Sequence, residues 1–430
     1  MNRATAPPSP RDRFDVYRFF NGISAEVQEG AAQSRTRIPL VKTFLLEHVS
    51  SRGGRRPTPP AEILKRVGAE SRPLDEQFLE LRVWEQDEGD AAPRPKIAGY
   101  LEQYDERFFA YYTADRADVA RRRVNRWVSS SPALDLTWFS GQLLQSLWDG
   151  DVSHRGNSLF SKLVFRHESI FDMPEDVTQS VNEEDEEAPE DTPAEDASDD
   201  DRPERDRRRV RSEIRDRIGP IRAALASLQR TYPPLNALYS LRLPSLAARG
   251  SHDLYQMGQV TNRSESFEDH RNTVRYLYRT YRSVLERTER SAWEGQEDAL
   301  PSSAVRARFK GVPLIINFAE HLSETTFNRW VNLAFQKRNQ FRLWGDPIRL
   351  GPTKIHVYGA DRHLWQPINL ELTASRVVAI LPQGTCGNTF HRLVTNVQRY
   401  VCPEVDVWLG ATPFHQLVGE IQVSLAEGAP

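Results

Sequence analysis

The chain has 430 residues, a formal charge of −3 and only two cysteines, with 39% hydrophobic and 27% charged residues. That length suits two or three domains, and the 10% aromatic content supports packed cores and argues against wholesale disorder. Two cysteines, Cys386 and Cys402, exclude a disulfide framework, and no Cys/His run has zinc-finger spacing. No apolar run approaches the ~20 residues that cross a bilayer, and the amino terminus lacks the apolar core of a signal peptide. The expectation is a cytoplasmic protein with no membrane contact, no metal and no cofactor.

In chain order, residues 1–13 read as a disordered tail. Phe14, Tyr17 and Phe20, then Val41, Leu45 and Val49, predict helices within 14–49, with Pro39 opening the second. A Gly/Arg/Pro stretch breaks the pattern before a short helix over 61–67. Alternation in 78–84 predicts a strand with Leu79, Leu81 and Val83 on one face and Glu80, Arg82 and Trp84 on the other. Two more strands over 96–103 and 107–113, a helix over 115–128, a strand near 134–138 and a helix over 141–148 complete an amino-terminal module, residues 14–173.

Between Glu183 and Asp201 lie twelve acidic residues and no basic one, which predicts a disordered linker over 174–203. The charge then reverses through Arg202, Arg205, Arg207, Arg208, Arg209 and Arg211. Val210, Ile214, Ile218, Ile221, Leu225, Leu228 and Tyr232 form an apolar seam that predicts a helix kinked at Gly219-Pro220 or two helices abutting there. A second helix over 267–290, carrying Val274, Leu277, Tyr281 and Val284, pairs with it as a helical hairpin within 204–303.

The carboxy-terminal module, 304–425, reads as a strand over 314–318, a helix over 324–335, paired strands over 354–358 and 368–372, a buried strand over 376–381, a helix ending at Val401 and a strand over 405–409. The fold class is α/β of the α+β type, with two small mixed-sheet α/β modules separated by an acidic disordered linker and an α-helical hairpin. The tetrapeptide Asn-Arg-Trp-Val occurs at 125–128 and again at 328–331, each time in a strand–helix–strand setting, which suggests either a duplicated unit or chance joined to a common packing solution.

Three constellations could carry chemistry. The loop 383–389 joins a strand to a helix, so Gly384, Gly387 and Asn388, with Arg392 on the helix, suit an anion held by backbone amides. It matches neither a phosphate-loop nor a dinucleotide motif, and a plain turn capped by Asn388 is the simpler reading. On that helix Phe390, Leu393, Val394 and Val397 form the buried stripe, leaving His391, Arg392, Thr395 and Arg399 pointing away from it. Cys386 and His391 are the nearest approach to a nucleophile and base, with no orienting group to complete them. His356, Asp361, His363 and His391 lack metal-site spacing.

Arg271, Arg275, Arg279 and Arg282 form a stripe on the helix 267–290, with Tyr276 and Tyr278 at its edges, in the manner of a nucleic-acid-binding helix or of a solvated charged face. No nuclease signature is present. The sequence therefore points to a non-enzymatic adaptor or scaffold in a larger bacterial-type intracellular assembly, with other protein subunits as partners. The alternatives are a nucleic-acid-binding protein using the arginine stripe and a ligand sensor or enzyme using the 383–392 loop.

Overall fold

The computed structural model describes residues 10–33, 39–48, 58–85, 93–155, 158–173, 209–245, 247–299, 305–336 and 339–427. The first nine residues of the expected tail and the whole acidic linker lie outside this set.

Helix α1 (Arg13–Gln33) opens where the Asp12 carboxylate accepts the Phe14 and Asp15 amides at 2.9 Å, an N-terminal cap. Strand β1 (Lys42–His48) and helix α2 (Pro60–Arg66), with proline at its first position, precede β2 (Ala69–Pro73), β3 (Phe78–Glu85), β4 (Arg94–Gln103) and β5 (Phe108–Thr113). Then come α3 (Ala117–Ser130), β6 (Leu134–Leu136), α4 (Gly141–Arg155), β7 (Phe160–His167), β8 (Val210–Arg217), α5 (Ile218–Thr231), β9 (Leu238–Pro244), β10 (Ser251–Tyr255), β11 (Gln259–Asn262) and α6 (Phe267–Arg290). The remainder is the hairpin β12 (Glu294–Ala299) and β13 (Val305–Lys310), β14 (Leu314–Phe318), α7 (Glu324–Gln336), β15 (Leu343–Gly351), β16 (Lys354–Asp361), β17 (Gln366–Thr373), β18 (Arg376–Ile380), α8 (Asn388–Tyr400), β19 (Val405–Leu409), β20 (Thr412–Pro413) and α9 (Phe414–Glu427).

These elements form two compact units, each discontinuous in sequence. The first takes residues 1–137, 174–208 and 242–276; the second takes 138–173, 209–241 and 277–430. The α+β class is as the sequence indicates, but the paired strands run antiparallel instead of forming mixed sheets.

The two units repeat one topology. In the first, β2-β3-β4-β5 is an antiparallel meander whose last strand pairs with β1, and β6, after α3, pairs with the other edge of β1. In the second, β15-β16-β17-β18 is the same meander, β18 pairs with β14, and β19, after α8, pairs with the other edge of β14. Strand, helix, four-strand meander, helix, strand describes both. The Asn-Arg-Trp-Val echo does not align with this repeat: Trp127 lies in α3, the second helix of one unit, and Trp330 in α7, the first helix of the other. Both indoles are buried.

Two helices expected from the sequence are strands. The segment around Val41 and Leu45 is β1, with all seven residues buried, and the segment around Val210 and Ile214 is β8. A spacing of four residues fits a two-residue period as well as a 3.6-residue one, so these pairs could not discriminate. Gly219 and Pro220 sit in the first turn of α5 instead of at a kink, where a missing N–H leaves no intrahelical bond unmade. The hairpin connection 233–265 carries β9, β10 and β11.

At position 99 the need for glycine is steric. Gly99 has φ +155°, and a Cβ there would lie 2.2 Å from the Tyr112 carbonyl. It borders a bulge where β3 and β4 shift register, and the bulged Ala98 carbonyl accepts Tyr111 Oη at 2.7 Å and Thr113 Oγ1 at 2.8 Å.

Candidate functional site

The loop between β18 and α8 is a closed system of internal bonds. Gln366 accepts the Cys386 amide at 2.6 Å and donates to the Gly384 carbonyl at 3.0 Å, while the Gly387 amide donates to the Glu289 carboxylate at 2.9 Å. Glu289 thus holds the position at the start of α8 that an incoming anion would take. Asn388 accepts Tyr281 Oη through its side-chain oxygen, and Arg392 is ion-paired with Asp361, which also receives Thr389 Oγ1. A Cβ at Gly387 would lie 3.0 Å from Leu285 Cδ1 and 3.1 Å from its carbonyl, so this glycine serves close packing.

Helix α8 is buried on every side, which corrects the expected outward stripe: His391, Arg392, Thr395 and Arg399 are as enclosed as Phe390 and Val394. Arg399 lies near the Glu168 carboxylate at 3.4 Å and over the rings of Tyr239 and Tyr400. Cys386 is buried, and His391 Nε2 meets Thr288 Oγ1 at 3.2 Å. Burial pushes the His391 ring down to about 4, against the nearby charge of Glu289. Of the imidazoles and acids weighed for a metal, Asp361, His363 and His391 are buried, while His356 projects from the opposite face of β16 and meets Glu371 at 3.0 Å.

The arginine stripe divides by partner. Arg271 binds the buried Glu102 carboxylate at 2.8 Å, Arg275 binds it at 2.7 Å, and Tyr112 Oη donates to the same group at 2.8 Å. Arg282 pairs with Glu286 at 2.8 Å and bonds Tyr278 Oη at 3.0 Å, and Arg279 is exposed.

The structure also assembles a polar chain in the first unit that has no sequence motif. Thr43 Oγ1 meets His270 Nε2 at 2.7 Å, His270 Nδ1 meets His252 Nδ1 at 3.3 Å, and His252 Nε2 meets Asp269 at 2.9 Å. A carboxylate only accepts, so His252 donates to Asp269 through Nε2, and the tautomers of the two rings set the donors of the other two contacts. Burial would raise Asp269, but bonds from His252, Ser245 and the Ala247 amide hold it down at about 2. Burial, then the neighbouring His252, pushes His270 well below the usual imidazole range.

The order nucleophile, base, orienting group resembles a catalytic chain. Thr43, His252 and His270 are nonetheless 0% exposed and Asp269 is 3% exposed, so no substrate reaches the hydroxyl. The chain ties β1, β10 and the start of α6 together. Only the adjacent Asp269-His270 pair hinted at it in sequence.

The exposed feature that stands apart is the outer face of the seven-stranded sheet in the second unit. Alternation along β15 and β16 turns Leu343, Ile355 and Val357 inward and leaves Trp344, Ile348 and Tyr358 facing solvent; Leu350, where the register shifts, and Trp365, in the turn between β16 and β17, are also exposed. Trp344 is 52% exposed, Tyr358 67% and Trp365 56%. Leu364 and Trp365 both have positive φ, 65° and 53°, so the turn presents the indole at a conformational cost. On the same face Glu371 gathers Lys354 at 3.2 Å, His356 at 3.0 Å and Arg376 at 3.4 Å, and Asp346 lies across from Tyr358.

No helix among the described residues is long and apolar enough to cross a membrane. No solved structure matches the chain. The chain is 26% identical over 147 residues to a protein of Methanocaldococcus jannaschii named "Uncharacterized protein MJECL33", a stretch that covers 34% of each chain, so the match spans about a third of that relative's length. The family model described as MJECL33-like protein matches residues 14–189 and 249–414, which include β1 to β6 with their helices and all of β14 to β19. The repeated strand-and-helix topology therefore falls within the matched segments, and the chain belongs to the MJECL33-like protein family.

Proposed function

We propose that the protein is a non-enzymatic adaptor, a component of a larger intracellular assembly, and that it docks a protein partner on the outer face of β15, β16 and β17. The observation that carries this reading is the set of large apolar side chains held in solvent on that face, Trp344, Ile348 and Tyr358, with Leu350 and Trp365 exposed in the adjoining bulge and turn. Exposed apolar clusters of this size on a sheet mark interaction surfaces, and Trp and Tyr are the side chains that most often dominate binding energy. The polar groups with catalytic order are enclosed and bonded to one another, which favours docking over chemistry.

Charge argues against nucleic acid on this face. Lys354 and Arg376 are balanced by Glu371 and Asp346, so the counterion release that drives phosphate binding has no source there. The test is affinity purification of the tagged full-length protein, with nuclease, beside a Trp344→Ser/Tyr358→Ser variant. Stoichiometric protein partners that survive nuclease and are lost from the variant are the expected result. Partners that co-purify equally with both proteins would overturn the proposal.

A further inference from the structure

We infer that the protein partner of this face presents a basic segment and seats an arginine side chain on Asp346, beside Trp344 and Tyr358. The inference rests on the docking reading above and names the chemistry of its partner. Strand register places the site. Asp346 on β15 stands opposite Tyr358 on β16, and Tyr358 stands opposite Asn369 on β17. Trp344 and Ile348, two residues to either side of Asp346, share its face of β15. Each is therefore a diagonal neighbour of Tyr358, about 7–8 Å away and within reach of a large side chain. Trp344 is 52% exposed, Ile348 50% and Tyr358 67%, so the carboxylate stands in an open setting of two rings and an aliphatic group.

Charge is spread unevenly over the face. Glu371 already gathers Lys354, His356 and Arg376. Asp346, by contrast, has no hydrogen bond or ion pair among the described residues. Arg349 donates to Asn328 and to the Gly351 and Pro352 carbonyls. Arg342 and Arg362 lie past the last pair of the ladder, Leu343–Asp361, and are engaged with other groups. Lys354 is four residues along β16 from Tyr358, about 14 Å at strand rise. That exceeds the ~8 Å over which exposed charges act at physiological salt. The face is neutral in sum, yet at Asp346 it is negative.

These neighbours select the occupant. A purely apolar partner covering Trp344 and Tyr358 would bury the Asp346 carboxylate without a counter-charge, at a large cost. An acidic partner would add repulsion. A cation satisfies the carboxylate and is also drawn to the faces of the indole and the phenol ring. Arginine fits better than lysine: its planar fork meets both carboxylate oxygens and stacks on aromatic rings, whereas an ammonium is a compact, strongly hydrated point charge. The aliphatic stem of the arginine then lies along Ile348.

The experiment is fluorescence anisotropy on the full-length protein at physiological salt, with circular dichroism to confirm that each variant is folded. The probe is a labelled Gly/Ser peptide carrying two arginines, beside the same peptide with lysine or with citrulline, the uncharged isostere. The wild type is expected to bind the arginine peptide best, the lysine peptide less well, and the citrulline peptide at least about tenfold more weakly. Asp346→Asn and Trp344→Ser should each weaken the arginine peptide about tenfold, the scale of one charge-assisted contact. No binding by the wild type, or equal binding of arginine and citrulline peptides, overturns the inference. So does an unchanged affinity in Asp346→Asn, the result expected if the twelve acidic residues between Glu183 and Asp201 hold the peptide instead. Affinity purification separates this inference from the docking reading. If Trp344→Ser/Tyr358→Ser loses its partners while Asp346→Asn keeps them, the face docks a protein and only the arginine is wrong. If neither variant loses partners, both are wrong.

Discussion

The Glu289 carboxylate accepts the Gly387 amide at 2.9 Å, so the amino terminus of α8 is capped from within the protein. Glu289→Ala is expected to lower stability by about 1 kcal/mol, the scale of a lost cap, with Glu289→Gln milder because its amide oxygen still accepts. Urea unfolding reads the difference. The same variants report on the loop as an anion site: phosphate should leave the wild-type melting temperature unchanged, and a rise with phosphate in the wild type would contradict the occupied-cap account.

Arg392 and Asp361 form an ion pair in which both side chains are 0% exposed. Removing one member leaves a buried charge, so Arg392→Leu or Asp361→Leu alone should cost about 3–5 kcal/mol, whereas replacing both with leucine should cost less than either single change. Denaturant midpoints of the three variants test this, and additive losses would contradict it.

Acid should destabilise the protein between pH 6.5 and 4. Burial lowers His48 and His391 from 6.5 to about 4 each, and neither nitrogen of His48 has a hydrogen-bond partner among the described residues. A folded-state value below the unfolded one means that the unfolded chain binds more protons in that window, so stability is full above pH 6.5 and falls as pH drops toward 4. Each ring contributes a slope of up to about 1.4 kcal/mol per pH unit. His391→Gln should flatten the profile measured by chemical denaturation at stepped pH.

Charge reversal along α6 should separate structure from surface. Arg271→Glu sets an acid beside the buried Glu102 and should cost about 3 kcal/mol or more, while Arg279→Glu, on an exposed side chain, should change stability by less than about 0.5 kcal/mol. Thermal unfolding distinguishes them. Loss of nucleic-acid retention in Arg279→Glu, with the fold intact, would revive the stripe as a binding surface.

Trp365→Gly should make the protein more stable. Glycine accepts φ 53° without the penalty of a side chain, so about 1 kcal/mol of strain is relieved. A higher melting temperature is the expected result, and an unchanged or lower one would contradict the strain account.

Local pattern carried much of the fold. The strand Phe78–Glu85 was legible from its alternation, although Phe78 and Glu80 on its expected polar face are buried, and the long apolar seam of Phe267–Arg290 and the paired strands around residues 361–366 were legible because each presents one wet face and one dry face. β1 and β8 were misread because Val41 and Leu45, or Val210 and Ile214, are four residues apart, a spacing common to helix and strand. Arg392 and Arg399 were misplaced for a related reason: polarity was taken for exposure, yet in α8 each guanidinium has its own buried carboxylate neighbour, Asp361 or Glu168.

The sequence by itself determined the class of the protein: packed cores, no disulfide framework, strands and helices of both kinds, and loop glycines without a nucleotide motif. These follow from composition and short-range periodicity. Only the tertiary structure decided that Thr43, His252, Asp269 and His270 form one chain, that Glu289 occupies the start of α8, and that Trp344, Ile348 and Tyr358 share an open face. Each of those facts depends on strand register and on contacts between residues far apart in sequence, and long-range pairing leaves no periodic trace in one chain.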